Sequence, residues 1–313
     1  MDSFLVAFNA VIPFLCYISF GYLVRQRGMV DDAFLQKLNS VVFRLLYPFL
    51  MFYNIYKAEA ASLPGPFFML FCGVSILAVE AVALLVVPRI IKENTRRGVI
   101  VQAAYRGNFV LFGLPLAISL FGEEASSTAA IVVTIVAALY NTTSVLILEM
   151  FNTKEKSDLK ATLANVTKNP LLRGAVVGLV FFFLKLRLPK GLTEPIAAFS
   201  GMTTPLALFI LGGTLHFDAV KKNLKYLIPT LSFKMILVPA AVLAVAYAAG
   251  LRGVELFLII GIHATPIATA SYPMAQNMGG DGELAGQFVV LSTAVCVVTL
   301  FLWVFFMKST GLI

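Results

Sequence analysis

Tyr105-Arg106-Gly107-Asn108-Phe109-Val110-Leu111-Phe112-Gly113-Leu114-Pro115 sits inside an apolar run that covers residues 98–121. Gly107, Asn108, Gly113 and Pro115 are together poor helix material. A proline inside a helix removes a backbone hydrogen bond, and its ring clashes with the preceding turn. The run 254–278 repeats the theme with His263-Ala264-Thr265-Pro266-Ile267-Ala268-Thr269-Ala270-Ser271-Tyr272-Pro273. Both stretches predict helices that start, break and resume. Whether such breaks are tolerable depends on the medium around them.

Composition identifies that medium. Of 313 residues, 59% are apolar and 13% charged, whereas an ordinary soluble domain carries about 25% charged residues. The apolar residues fall in runs at 4–24, 38–57, 66–88, 98–121, 125–152, 170–186, 196–215, 226–250, 254–278 and 284–307. Runs of roughly 20 residues cross a hydrocarbon layer about 30 Å thick at 1.5 Å per residue. The expectation is an all-α membrane protein of about ten transmembrane helices, with the lipid bilayer as its solvent. The N-terminal stretch has no basic region before it and reads as an uncleaved first helix.

The net charge of +8 does not mark a nucleic-acid binder, because the basic residues are scattered through short loops and not gathered on one face. Counted by alternate loops, Lys and Arg number 15 on one side and 6 on the other. The richer side is expected to be cytoplasmic, which puts both termini outside the plasma membrane. Cys16, Cys72 and Cys296 lie inside expected spans without ligand spacing and read as small core residues. No phosphate loop, metal-ligand cluster or nucleophile elbow is present, so neither a pump driven by ATP, nor a metal or other cofactor, nor an enzyme is expected.

The polar stretch 153–169 divides the chain into residues 1–152 and 170–313, each with five expected spans, and is read as a cytoplasmic linker. Pro48-Phe49-Leu50-Met51-Phe52 matches Pro205-Leu206-Ala207-Leu208-Phe209 at an offset of 157 residues, and Arg97-Gly98-Val99 matches Arg252-Gly253-Val254 at 155. Gly122-Glu123-Glu124-Ala125 faces Gly282-Glu283-Leu284-Ala285 in the same order. An odd number of spans per half makes such a 5+5 repeat inverted. Broken helices in corresponding places of an inverted repeat point to a substrate site at the bilayer midplane.

Charges inside the spans add candidates. A central Arg or Lys costs about 2.5–3.5 kcal/mol on insertion scales, so these residues usually face a partner or a cavity. Arg106 and Glu80 lie at similar depths from the same face and are expected to pair. Arg44 in the second span joins Arg106 as a carboxylate partner, and Lys234 in the eighth joins these intramembrane charges, with snorkelling to the headgroups as the alternative. His263, which can change charge near neutral pH, is the candidate for proton coupling. Asn108 and the hydroxyl of Thr265 are the expected hydrogen-bond donors to a ligand carboxylate. Gly174-Ala175-Val176-Val177-Gly178 permits close helix packing.

These motifs, taken in order, resemble the auxin efflux carrier family, which includes plant PIN-type carriers and bacterial malonate and malate permeases. The resemblance is carried by Arg106-Gly107-Asn108 with Gly113 and Pro115, by Asn39 with Pro48, and by Asn169-Pro170. Thr203 to Gly213, and Pro266 with Ala275 to Ala285, complete it over nearly the whole chain. It implies that the fourth and ninth helices cross at their broken segments, with Asn108, Pro115, Thr265 and Pro266 at the crossing and Asn141 lining the pocket. The chain lacks the long cytoplasmic loop of some plant members, and Met51 stands where those tend to carry a small polar residue. The expected activity is secondary transport of a small organic anion, a mono- or dicarboxylate or auxin, by alternating access. A cation-coupled carrier of another solute, or a receptor that binds the same ligand without moving it, are the alternatives. Proton or sodium coupling and assembly as a homodimer stay open.

Overall fold

In the computed structural model, which describes residues 2–57, 65–152, 169–215 and 217–313, every expected span falls on helix. The linker expected over 153–169 lies outside the described residues except for Asn169, whose side chain caps the next helix by accepting from the Leu171 N–H at 3.0 Å. We number the helices α1 (Asp2–Gln26), α2 (Asp32–Tyr56), α3 (Pro66–Ile90), α4 (Asn94–Tyr105), α5 (Phe109–Phe121) and α6 (Glu123–Met150). The remainder are α7 (Pro170–Phe183), α8 (Lys190–Gly213), α9 (Phe217–Ser232, continuing to Ala248), α10 (Gly253–Ala264), α11 (Ser271–Asn277) and α12 (Gly282–Ser309). By length and composition α2, α3, α8, α9 and α12 can each cross a membrane, and α5, α7 and α10 are shorter apolar helices. The chain is a multi-pass membrane protein.

The fourth and ninth expected spans are each split in two, as α4/α5 and α10/α11. Three helices widen into a π turn of five residues, at Val42–Leu46, Phe109–Gly113 and Phe233–Leu237. Each π turn is followed by one residue and then a proline: Pro48, Pro115 and Pro239. A proline ring crowds the carbonyl four residues upstream, and a wider turn placed there relieves the clash without ending the helix.

Packing between helices relies on backbone approach. Gly174 and Gly178 of α7 lie on the backbone of α2 at Pro48 and Phe52, so a side chain at Gly174 would collide and one at Gly178 would be tightly pressed. The close-packing motif read in the sequence therefore joins the start of the second half to α2. In lipid, apolar burial drives helix association weakly, and small residues that let backbones touch take over that task. The apolar residues that face outward, such as Leu70, Leu85, Phe183 and Phe305, form the surface that lipid would cover.

Candidate functional site

A broken helix exposes backbone groups that neither water nor lipid can satisfy inside a bilayer. Here the two breaks satisfy each other. Gly107 and Ile267 form an isolated antiparallel bridge, and the Asn108 N–H donates to the Pro266 carbonyl at 2.8 Å. The Ile267 N–H is taken by Ser292 Oγ of α12 at 3.0 Å. The approach explains Gly107: a Cβ there would stand 2.5 Å from the Ile262 carbonyl oxygen and 2.7 Å from Thr265 Oγ1. Pro266, with no N–H to offer, costs nothing at a position where only its carbonyl is used.

Beside this junction lies a cavity of about 540 Å3, within the usual size of a small-molecule site. Its walls come from α1 (Phe14, Tyr17), α2 (Tyr47, Met51, Asn54), α6 (Tyr140, Asn141) and α8 (Ser200, Thr204), and its floor from the two breaks (Arg106 to Leu111 and Ala268 to Ala270). Arg106 lies on the floor and Lys57 at the far end of α2, and among the described lining residues there is no carboxylate. Phe109, Val110 and Leu111, the first residues of α5, also line the cavity. The N–H groups at a helix start have no carbonyl in their own helix and carry the positive end of its dipole.

Arg106 is 3% exposed. Its Nη2 donates to Asn141 Oδ1 at 2.7 Å, its Nη1 contacts the Met274 sulfur, and its Nε has no partner. Asn141 in turn directs Nδ2 at the Met51 sulfur, 2.7 Å away. The Asn108 amide nitrogen, buried and without a partner, belongs to a residue that lines the cavity. A buried amide left open costs about 1–3 kcal/mol unless something fills it. Arg106, Asn108 and Asn141 thus all line this cavity.

Other expected site residues are placed elsewhere. Thr265 and Pro266 form the junction itself and do not line the cavity, and Pro115 is exposed on α5. Thr265 is fully buried and its hydroxyl has no partner. Arg44 departs from expectation: Val42, Phe43 and Tyr47 take the buried face of its π turn, which leaves Arg44 exposed and outside the cavity. The expected Glu80–Arg106 pair is also absent from the ion pairs of the described residues. Glu80 faces the Thr143 hydroxyl near Tyr105, whose own hydroxyl is 2.8 Å from Thr143 Oγ1 and 2.9 Å from Ser144 Oγ. Arg106, one residue further, leaves the helix in extended conformation and turns to Asn141. Lys234 does not snorkel, being wholly buried with Nζ 2.7 Å from the His263 carbonyl oxygen. His263 is fully buried behind the junction, its Nε2 3.0 Å from Ser75 Oγ.

Tyr47, Asn54, Lys57, Tyr140 and Thr269 are cavity residues that the sequence did not single out. Thr269 alone carried a signal, as the polar residue following the second break.

At the other end of the molecule the breaks are sealed off. The Asp281 N–H donates to the Thr95 carbonyl at 2.9 Å, Arg96 Nε to the Asp281 carboxylate at 3.1 Å, and Ser40 Oγ to Asn277 at 3.2 Å. Since Ser40 lies in the first half of α2 and Lys57 directly follows its last residue, this closed end is opposite the cavity.

A multi-pass helical membrane protein whose two interrupted helices meet beside a cavity has the form of a solute transporter. The chain belongs to the family described as membrane transport protein, whose sequence profile matches residues 6–304, and this is the auxin efflux carrier family that the sequence resembles. An uncharacterized transporter of Methanothermobacter thermautotrophicus is 21% identical over 96% of this chain and 98% of its own length. One from Methanocaldococcus jannaschii is 23% identical over 96% and 98%. A Rhizobium meliloti protein named "Putative malonate transporter" is 22% identical over 96% of both chains.

Proposed function

We propose that the protein is a secondary transporter of small carboxylates, with a dicarboxylate of malonate size as the first substrate to try. The observation that carries this reading is a cavity at the helix breaks whose described charged groups, Arg106 and Lys57, are both cationic. A carboxylate drawn from water must recover the hydrogen bonds it loses, and an unpaired charge in a dry site costs far more than apolar contacts repay. Asn108 Nδ2 and Arg106 Nε, both without partners, and the first N–H groups of α5 supply such donors. The malonate-transporter name of one relative supports the same size and charge class. On this reading the two halves form a 5+5 inverted repeat that rocks about the junction, and the cavity is the site open toward the outside.

Losing one hydrogen bond to a charged ligand costs about 1.5–3 kcal/mol, or roughly 10- to 150-fold in affinity. Asn108→Ala is therefore expected to weaken malonate binding by that factor while the protein stays monodisperse. Proteoliposomes loaded with malonate should exchange it for labelled malonate outside, and Asn108→Ala should slow the exchange. Binding without exchange by the wild type would mark a receptor. Absence of both, with malate and indole-3-acetate also tried, would remove the carboxylate reading.

A further inference from the structure

On the far side of the junction from the cavity stands a group that anion binding does not use. Lys234, in the π turn of α9, is fully buried, and among the described residues no carboxylate pairs with it. Its Nζ donates to the His263 carbonyl, one of the last four of α10. The chain leaves the helix at Thr265, so these carbonyls lack the N–H groups that a continuing helix would supply, and they carry the negative end of its dipole. Tyr140 Oη takes the Ile262 carbonyl at 3.2 Å, and Lys234 takes the next one. A Cβ built on Gly107 would lie 3.3 Å from Lys234 Nζ. The ammonium and the cavity floor are therefore separated by the thickness of one residue.

The helices packed against this turn bring His263 and Glu255 on α10, Tyr105 followed by Arg106 from α4, and Cys296 on α12. His263 meets the ammonium through its carbonyl, its Nε2 is engaged with Ser75, and its Nδ1 is buried without a hydrogen-bond partner. A buried cation with no counter-charge is costly, and a lysine escapes that cost by giving up its proton, which an arginine does not do.

We propose that Lys234 is the proton-binding site of the transport cycle. As ammonium it satisfies the open end of α10 and holds the two breaks together. Loss of one proton to water, R–NH3+ to R–NH2 plus H+, removes the charge that this helix end selects and releases the junction. The same charge attracts an anion on the cavity side, so anion and proton bind cooperatively and cross together. The cooperative part rests on the carboxylate reading above; proton binding by Lys234 does not.

The test is a pH step applied to the protein in phosphatidylethanolamine–phosphatidylglycerol liposomes on a supported membrane, with no carboxylate present. Wild type should give a transient charge movement, which Lys234→Met and Lys234→Arg reduce to the level of protein-free liposomes and His263→Gln retains. Wild type without a transient, variants that keep it, or its loss in His263→Gln with Lys234→Met unaffected would each overturn the proposal. Lys234→Arg keeps a cation against the carbonyl, so its loss of signal does not trace to an empty cavity. A protein that binds no carboxylate at all would still show the pH-step signal, which separates this proposal from the substrate reading.

Discussion

Arg106 shows how far a single residue can be read from sequence and where that reading stops. Its depth in the membrane was legible from its distance to Arg97, but depth carries no information about azimuth. The helix ends on Tyr105, which points toward Thr143, and Arg106 leaves it in extended conformation toward Asn141 and the cavity. The partner is consequently an amide and not the carboxylate of Glu80. This is testable by double-mutant cycles on thermal stability in detergent. Arg106→Gln and Glu80→Gln should be additive within about 0.5 kcal/mol, as expected of groups that share no contact. Arg106→Gln and Asn141→Ala should show a coupling of about 0.5–3 kcal/mol, because either change alone strands the other member of a buried hydrogen bond. Strong coupling to Glu80 with none to Asn141 would reverse the assignment. Asn108, by contrast, was legible because its polarity inside an apolar span needed no azimuth to be noticed.

The elements themselves were the most legible part, since glycine and proline act locally: all ten expected runs are helical, and the breaks fall at Arg106–Asn108 and Thr265–Ala270. The meeting of the breaks was available only through family resemblance, and the convergence of Tyr47, Tyr140 and Thr269 on one cavity not at all. That convergence depends on which faces α1, α2, α6 and α8 present to each other, a tertiary property with no local signature. The π turns were likewise unannounced, although the recurrence of five residues, one spacer and a proline gives them a common cause. The junction makes its own prediction. Gly107→Ala should cost about 1–3 kcal/mol, as over-packing does, because the methyl would meet the Ile262 carbonyl and Thr265 from backbone that has nowhere to retreat. Gly191→Ala, in the first turn of α8 with no atom within 4 Å of the added carbon, should instead be neutral or stabilising by up to about 1 kcal/mol. Melting temperatures of the two purified variants decide the matter. Equal shifts would mean that the breaks do not touch as described.

At the scale of the whole molecule, the cavity end and the sealed end differ in charge as well as in closure. The sealed end carries Arg25, Lys37, Arg96 and Lys225, members of the richer set of 15 basic loop residues, and the cavity end carries Lys57 and Arg187 from the set of 6. Positive loops stay in the cytoplasm during insertion, so the sealed end is expected to face inward and the cavity outward. On the alternating-access reading proposed above, the Arg96–Asp281, Asp281–Thr95 and Ser40–Asn277 contacts open while the cavity closes. The one ion pair among these three contacts, Arg96–Asp281, is partly exposed, and such pairs are worth about 0–1 kcal/mol, weak enough for the opening that this reading calls for. Single cysteines test the orientation in intact cells, in a background from which Cys16, Cys72 and Cys296 have been removed. A cysteine replacing the exposed Arg187 should react with an impermeant maleimide added outside, and one replacing the exposed Lys37 should react only after the membrane is permeabilised. The reverse pattern would turn the molecule over and make the observed cavity an inward-facing one. It would leave the junction and its chemistry as they are, because inverting the molecule moves no donor relative to the breaks.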